Sequence, residues 1–413
     1  AAAAVWLYGT PVAVLDFGTA TVLSCVDANR TLLGVSIAPG MQTSLDGLRG
    51  VACVAVLLLH AATMLELWGE SGPYPLIPGT PAVVVFFVLS GVVLSIAPLA
   101  RLREGRPYDW LGYYPRRVVR LGLPLVAAIA LGVVAGLVAW TLGSAGRSAT
   151  AIDFDGTASQ VIHDVLMQFD VLFFVSDDTV TLFGDPLVRV NSPVWSMGWE
   201  LWFSLTLPLA VALLARVRRD VPASLLIFAG IFLSYWSGYF PLRLCLTFWL
   251  GVLLAKHLGE LSRVRLTAPI ELLALVLLLG VVELVQAASA GMLGSAGPLL
   301  AAALPTLMVA ACMGIVALAM TNGLVRRALS ARPVRFLGAV SFSLYLTHAV
   351  TIGALEALPR LGVVEPLVQA ALAAALSLAV AVVFWHVVEK PGIALSRRVG
   401  DAFGTRASQP SEE

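Results

Sequence analysis

Charge is what this sequence has least of. Asp, Glu, Lys and Arg together make up 12% of its 413 residues, against ~25% in soluble globular chains. Lysine nearly vanishes, standing only at Lys256 and Lys390. The net charge of +1 gives no bulk field that would draw nucleic acid, so no nucleic-acid partner is expected. Cysteine is scarce as well. Cys25, Cys53, Cys245 and Cys312 have no ligand-type spacing, three of them lie in apolar stretches, and all suit small packing residues. No motif calls for a metal.

What fills the chain is hydrophobic sequence, 59% of all residues. It is organised in repeated runs near the ~20 residues that cross a bilayer. Ten spans are expected, at roughly 45–65, 80–99, 118–140, 194–215, 221–238, 241–257, 268–288, 298–320, 333–354 and 366–388. The fold class is an all-α polytopic membrane protein of about ten transmembrane helices. Arginines alternate with these spans. Arg101, Arg103, Arg106, Arg116 and Arg117, then Arg216, Arg218 and Arg219, then Arg263 and Arg265, then Arg326, Arg327 and Arg332, and finally Lys390, Arg397 and Arg398 fall on one side. The positive-inside rule then puts both termini in the cytoplasm of a multi-pass protein of the cell inner membrane. Many Ala, Val and Gly with arginine in place of lysine suit a GC-rich bacterial coding bias.

One long outer connection, roughly 141–193, carries seven aspartates, among them Asp153, Asp155, Asp164 and Asp170. Its apolar Val171-Leu172-Phe173-Phe174-Val175 suits an interfacial segment better than a free linker. An outer gate or acceptor-binding flap and a plain surface loop both remain open.

The first forty residues do not share the pattern. Val12–Asp16, Thr19–Asp27 and Thr31–Ile37 read as short strands around turns at Gly18 and Ala28-Asn29, a β-hairpin-like fragment. Leu15-Asp16-Phe17-Gly18-Thr19-Ala20-Thr21, followed by Gly34-Val35-Ser36-Ile37-Ala38-Pro39-Gly40, resembles an internal piece of type III pantothenate kinase. Val35 stands where that family's pair has its second glycine. A piece this short cannot bury a core of its own, so no kinase activity is expected. The reading is a foreign or truncated fragment over 1–43, joined to a membrane domain over 44–392 and a disordered cytoplasmic tail over 393–413.

The chemistry-bearing feature is a pair. Arg49 and His60 stand eleven residues apart in an apolar stretch, so three helical turns set both side chains on one stripe, ~16 Å apart along the axis. Ionisable groups inside a membrane are costly and point to function. Further motifs follow in order: Phe86-Phe87-Val88-Leu89-Ser90-Gly91, Tyr114-Pro115-Arg116-Arg117-Val118-Val119-Arg120-Leu121, Trp195-Ser196-Met197-Gly198-Trp199-Glu200 and Ser341-Phe342-Ser343-Leu344-Tyr345-Leu346-Thr347-His348. With residues 44–60 they resemble the acyltransferase-3 family of integral membrane O-acyltransferases, over about 44–392. The resemblance implies transfer of an acyl group, acetyl by default, from cytosolic acyl-CoA to a hydroxyl of a saccharide or glycoconjugate. Acyl-CoA is then a co-substrate, no bound cofactor is expected, and the partners are the bilayer, acyl-CoA and the acceptor.

Each candidate carries a second reading. His60 suits a general base, with an unperturbed pKa of ~6.5, or an interhelical hydrogen bond. Arg49 and the Arg117–Arg120 pair, which matches the family's Arg-x-x-Arg, suit the phosphates of CoA, whereas Arg116 suits topology or anionic lipid. Glu200 suits an orienter of His60, an acceptor ligand, or an acid favoured near a helix N-terminus. Ser341, Tyr345 and His348 share one helical face and suit acceptor binding or interhelical bonding. Trp195 suits an acceptor wall or an interfacial belt. Ser90-Gly91 suits close packing, and His163, His257 and His386 have no matching partners. Topology puts the polar groups of four helices in one cavity. The rival reading of the whole chain is a transporter or flippase of a glycoconjugate, which ten spans with midplane polar groups also suit. A non-catalytic membrane sensor is the third.

Overall fold

In the computed structural model, residues 12–17, 21–26, 39–66, 77–143, 152–173, 189–292, 297–357 and 365–404 are described. At the N-terminus β1 (Val12–Phe17) and β2 (Thr21–Val26) pair antiparallel, Val12 opposite Val26 and Phe17 opposite Thr21. The strand expected at 31–37 and the turn at 28–29 lie outside the described residues.

The rest is helical. The long elements are α1 (Pro39–Met64), α2 (Gly79–Arg103) and α3 (Trp110–Thr141). After the short α4 (Ala158–Met167) come α5 (Trp195–Arg216), α6 (Asp220–Ser237), α7 (Phe240–Lys256), α8 (Ala268–Ser289) and α9 (Pro298–Met320). The short α10 (Leu324–Leu329) leads to α11 (Arg332–Glu356) and α12 (Pro366–Phe384). A π-turn over Trp385–Glu389 joins α12 to α13 (Lys390–Phe403). Among the described residues nine helices are long and apolar enough to cross a membrane. The tenth expected span is α7, whose 17 residues stand at the short end of the spanning range.

Local signals set the ends. Asp109 caps α3 by accepting from Gly112 N at 3.0 Å, and Thr157 with Gln160 closes α4 in a capping box. Proline stands in the first turn of α7, α8, α9, α11 and α12, where its missing N–H costs nothing. Gly238, at φ 72°, ends α6 in the left-handed region.

Packing is decided by glycine. α1 touches both α10 and α11 backbone to backbone: a Cβ on Gly47 would lie 2.0 Å from Leu329 O at the end of α10, and one on Gly338 of α11 2.2 Å from Asp46 O. α2 and α7 meet the same way, Gly91 against Phe248 O and Gly251 against Val88 O. Close approach of this kind is how membrane helices gain contact where lipid offers no hydrophobic advantage. Ser90-Gly91 is thus a packing notch.

The tail departs from expectation. Residues 393–403 are helical, part of an amphipathic α13 that lies along α3. Gly392, Ser396 and Gly400 are buried at every fourth position, and Arg116 pairs with Asp401 at 3.0 Å. The long connection between α3 and α5 is no plain surface loop where it is described. Asp170 and Arg189 form a 2.6 Å pair with both side chains buried, Gln168 accepts from Val190 N at 2.9 Å, and Asn191 donates to Leu346 O at 2.8 Å. The segment therefore reaches α11 halfway along its length.

Candidate active site

α1 and α11 run parallel in fixed register. Cys53 Sγ donates to Ser341 O at 3.2 Å, and His60 Nδ1 lies 2.8 Å from His348 Nε2, each pair 288 positions apart in sequence. The glycine contact that sets this register lies one turn before Cys53, at Gly50 and Gly338. The same seam that lets the backbones touch thus delivers two imidazoles to each other, edge to edge, with ring centroids 5.0 Å apart and planes inclined by 29°. His348 is fully buried and His60 half-buried, so the accessible edge of the pair belongs to His60.

Arg49 occupies the same helix eleven residues before His60. It pairs with Asp46 at 3.0 Å and keeps 32% of its side chain exposed. Arg120, exposed, lies within the fields of Arg117, Arg49, Glu389 and Arg397. Glu389 is buried, accepts from Ser343 Oγ at 2.5 Å, and has Arg49 and Arg120 as its nearby cations. Four arginines here face Asp46, Glu200 and Glu389, which leaves the cluster net positive. At its edge, in the connection before α3, burial holds the Tyr108 hydroxyl above the usual tyrosine range against the pull of Arg116.

Several expected placements change. Glu200 does not face His60. Its carboxylate takes Arg117 Nη2, and Arg117 Nε donates to Ser204 Oγ at 2.9 Å, so the pair ties α3 to α5. Both side chains are nearly enclosed, at 12% and 13% exposure. Arg117 is therefore largely neutralised, and Arg49 and Arg120 are the freer cations. Ser341 is buried and spends its hydroxyl on Gly338 O at 2.8 Å. Tyr345 donates to Pro193 O at 3.0 Å and meets Ser196 Oγ at 2.7 Å. These two, with His348, are buried inside helix seams. Trp195 is half-buried against Phe240, at 5.8 Å between ring centroids.

The one shared cavity expected for four helices resolves into two levels. Imidazoles occupy one and arginines with carboxylates the other, because α3 brings Arg117 rather than α1 bringing His60 to Glu200. Glu389 is the residue that sequence reading missed. The signal was there: an acid at the end of the last apolar run, directly before Lys390-Pro391. Two apolar grooves between α3 and α12, lined by residues such as Leu131, Phe384 and Val388, contain none of these polar groups.

Comparison with known proteins fits this arrangement. Residues 1–54 match the family of type III pantothenate kinase. The enzymes of that name from Agathobacter rectalis and Streptomyces coelicolor are 52% and 50% identical to this chain over 48 residues, 12% of this chain and 18% of each relative. The one from Symbiobacterium thermophilum is 55% identical over 40 residues, 10% of this chain and 15% of the relative. The chain thus spans less than a fifth of the length of these curated relatives. No solved structure matches it. The family described as acyltransferase domain matches residues 42–386, which includes His60, His348, Arg49, Arg117 and Arg120, and the chain belongs to this acyltransferase-3 family.

Proposed function

We propose that this membrane acyltransferase moves an acyl group, acetyl by default, from cytosolic acyl-CoA to a hydroxyl of a saccharide or glycoconjugate, with His60 as general base. The observation that carries this reading is the stripe on α1. A partly exposed cation, paired with Asp46, stands at one end and an accessible, hydrogen-bonded imidazole at the other, ~16 Å away. That spacing suits the pantetheine arm of CoA. Its phosphates meet Arg49 and Arg120, with Arg117 held in place behind them by Glu200. The thioester then lies near His60.

His60 Nε2 takes the proton of the acceptor hydroxyl as that oxygen attacks the thioester carbonyl. The tetrahedral intermediate collapses, the C–S bond breaks, and the proton passes from His60 to the departing CoA sulfur. An ester and free CoA result, and no electrons are gained or lost. Proton transfer by a positioned imidazole contributes on the order of 10²–10⁴-fold in rate. The positive-inside pattern puts the arginine level at the cytoplasmic face of the inner membrane and both termini in the cytoplasm.

The test uses the purified chain in lipid nanodiscs with radiolabelled acetyl-CoA and a panel of saccharides. Base-labile label on a saccharide, dependent on the protein, is the expected result. Movement of a lipid-linked saccharide across a vesicle wall, with no label transferred, would replace this reading with that of a flippase.

A further inference from the structure

We propose that His348 is a positioning residue that fixes the tautomer of His60 and leaves the Nε2 lone pair of His60 as the base. This rests on the reading of His60 as general base. The argument starts from an atom that cannot donate. Leu344 O lies 2.9 Å from His348 Nδ1, and a carbonyl oxygen only accepts, so the proton of that bond is on His348 Nδ1. A neutral imidazole carries one ring proton, so His348 Nε2 is bare. His60 Nδ1 lies 2.8 Å from it, and the proton between them must come from His60. His60 Nε2 is then bare as well. It lies on the ring edge away from His348, and His60 is the member of the pair with exposed surface.

The chain of donors therefore runs one way, from His60 Nδ1 to His348 Nε2 and from His348 Nδ1 to Leu344 O. A partner group that sets which ring nitrogen is free is the usual determinant of a histidine's role. When His60 takes a proton at Nε2, its Nδ1–H is already bonded and the pair needs no rearrangement. His348 stays neutral and accepts a stronger, charge-assisted bond. Glu200 does not supply a carboxylate here, since Arg117 holds it. The imidazolium thus has a neutral partner, and giving its proton back to the departing sulfur is not opposed by an ion pair. His348 has no exposed surface, which makes acceptor contact by its ring a poorer account of its placement than support of His60.

The experiment compares kcat and KM for His348→Leu, His348→Gln and His60→Ala in nanodiscs with labelled acetyl-CoA. Leucine keeps bulk and removes both hydrogen bonds. Glutamine supplies an oxygen to His60 Nδ1 and an N–H to Leu344 O. His348→Leu should lose ~10²–10³-fold in kcat with KM for acetyl-CoA changed by no more than about threefold, and His348→Gln should regain at least roughly tenfold of that loss. An inactive His60→Ala beside a His348→Leu of unchanged kcat would overturn the positioning role alone. An active His60→Ala would overturn the underlying base assignment and this inference with it. Should His348→Leu fail to fold, nitrogen-15 spectra of the histidines in the unmutated protein decide. Nδ1–H tautomers at both His60 and His348 support the proposal, and an Nε2–H tautomer at His348 overturns it.

Discussion

Gly50 and Gly338 hold α1 and α11 backbone to backbone: a Cβ on Gly50 would lie 2.6 Å from the Gly338 amide nitrogen. Because that contact sets the register that pairs His60 with His348, size at either glycine should cost stability and activity together. Gly338→Val is expected to lower stability by at least ~1–3 kcal/mol, the usual cost of overpacking, with transfer falling in parallel. Gly122, whose added Cβ meets nothing within 4 Å, is the control. Gly122→Ala should be neutral or gain up to ~1 kcal/mol from helix propensity. Thermal unfolding in detergent reads both, and an unaffected Gly338→Val would show that the seam is loose.

Arg49 bears on the donor more than on the acceptor. Loss of one charge-assisted contact, worth ~1.5–3 kcal/mol, should raise the apparent KM for acyl-CoA by about 10–100-fold in Arg49→Ala. The KM for acceptor should change less. Steady-state kinetics with both substrates varied would reassign Arg49 if the ranking came out reversed.

The Arg117–Glu200 pair is enclosed, so removing one partner strands the other. Glu200→Ala and Arg117→Ala are each expected to cost ~3–5 kcal/mol, and a Glu200→Gln/Arg117→Met double variant less than their sum. Activity per folded molecule in Glu200→Gln should stay within about tenfold of the parent. A well-folded but dead Glu200→Gln would return Glu200 to the chemistry.

Asp170 and Arg189 make the corresponding test for the segment between α3 and α5. Asp170→Ala removes the carboxylate paired with a buried guanidinium, and should release residues 152–173 from the bundle. Hydrogen exchange across that segment is expected to speed up strongly while α1 and α11 remain protected. Equal exchange in the two proteins would mean that the ion pair does not anchor it.

Much of this architecture could be read from residue order. Long apolar runs mark the helices to within about eight residues at each end, except the last, since period and length decide them. The Arg49–His60 stripe followed from 3.6 residues per turn. What escaped was partnership. Sequence alone leaves His348 between acceptor binding and interhelical bonding, and Glu200 between orienting His60, binding the acceptor and a helix-end acid, because depth gives no sign of which faces meet. In helices apolar on nearly every side, hydropathy contains no register. The register came from glycines 288 positions apart, Gly50 and Gly338, whose meaning appears only once the two backbones touch. Glu389 and α13 were lost for a simpler reason: the last span seemed to end at residue 388, where a π-turn in fact carries the helix on to Phe403.

The most direct measurement is acetyl transfer by His60→Ala set beside its binding of acetyl-CoA. The account expects a folded variant that binds acetyl-CoA as the parent does and forms no labelled ester. A variant that still esterifies saccharide at the parent rate would contradict it, whatever else the imidazole pair does for the fold.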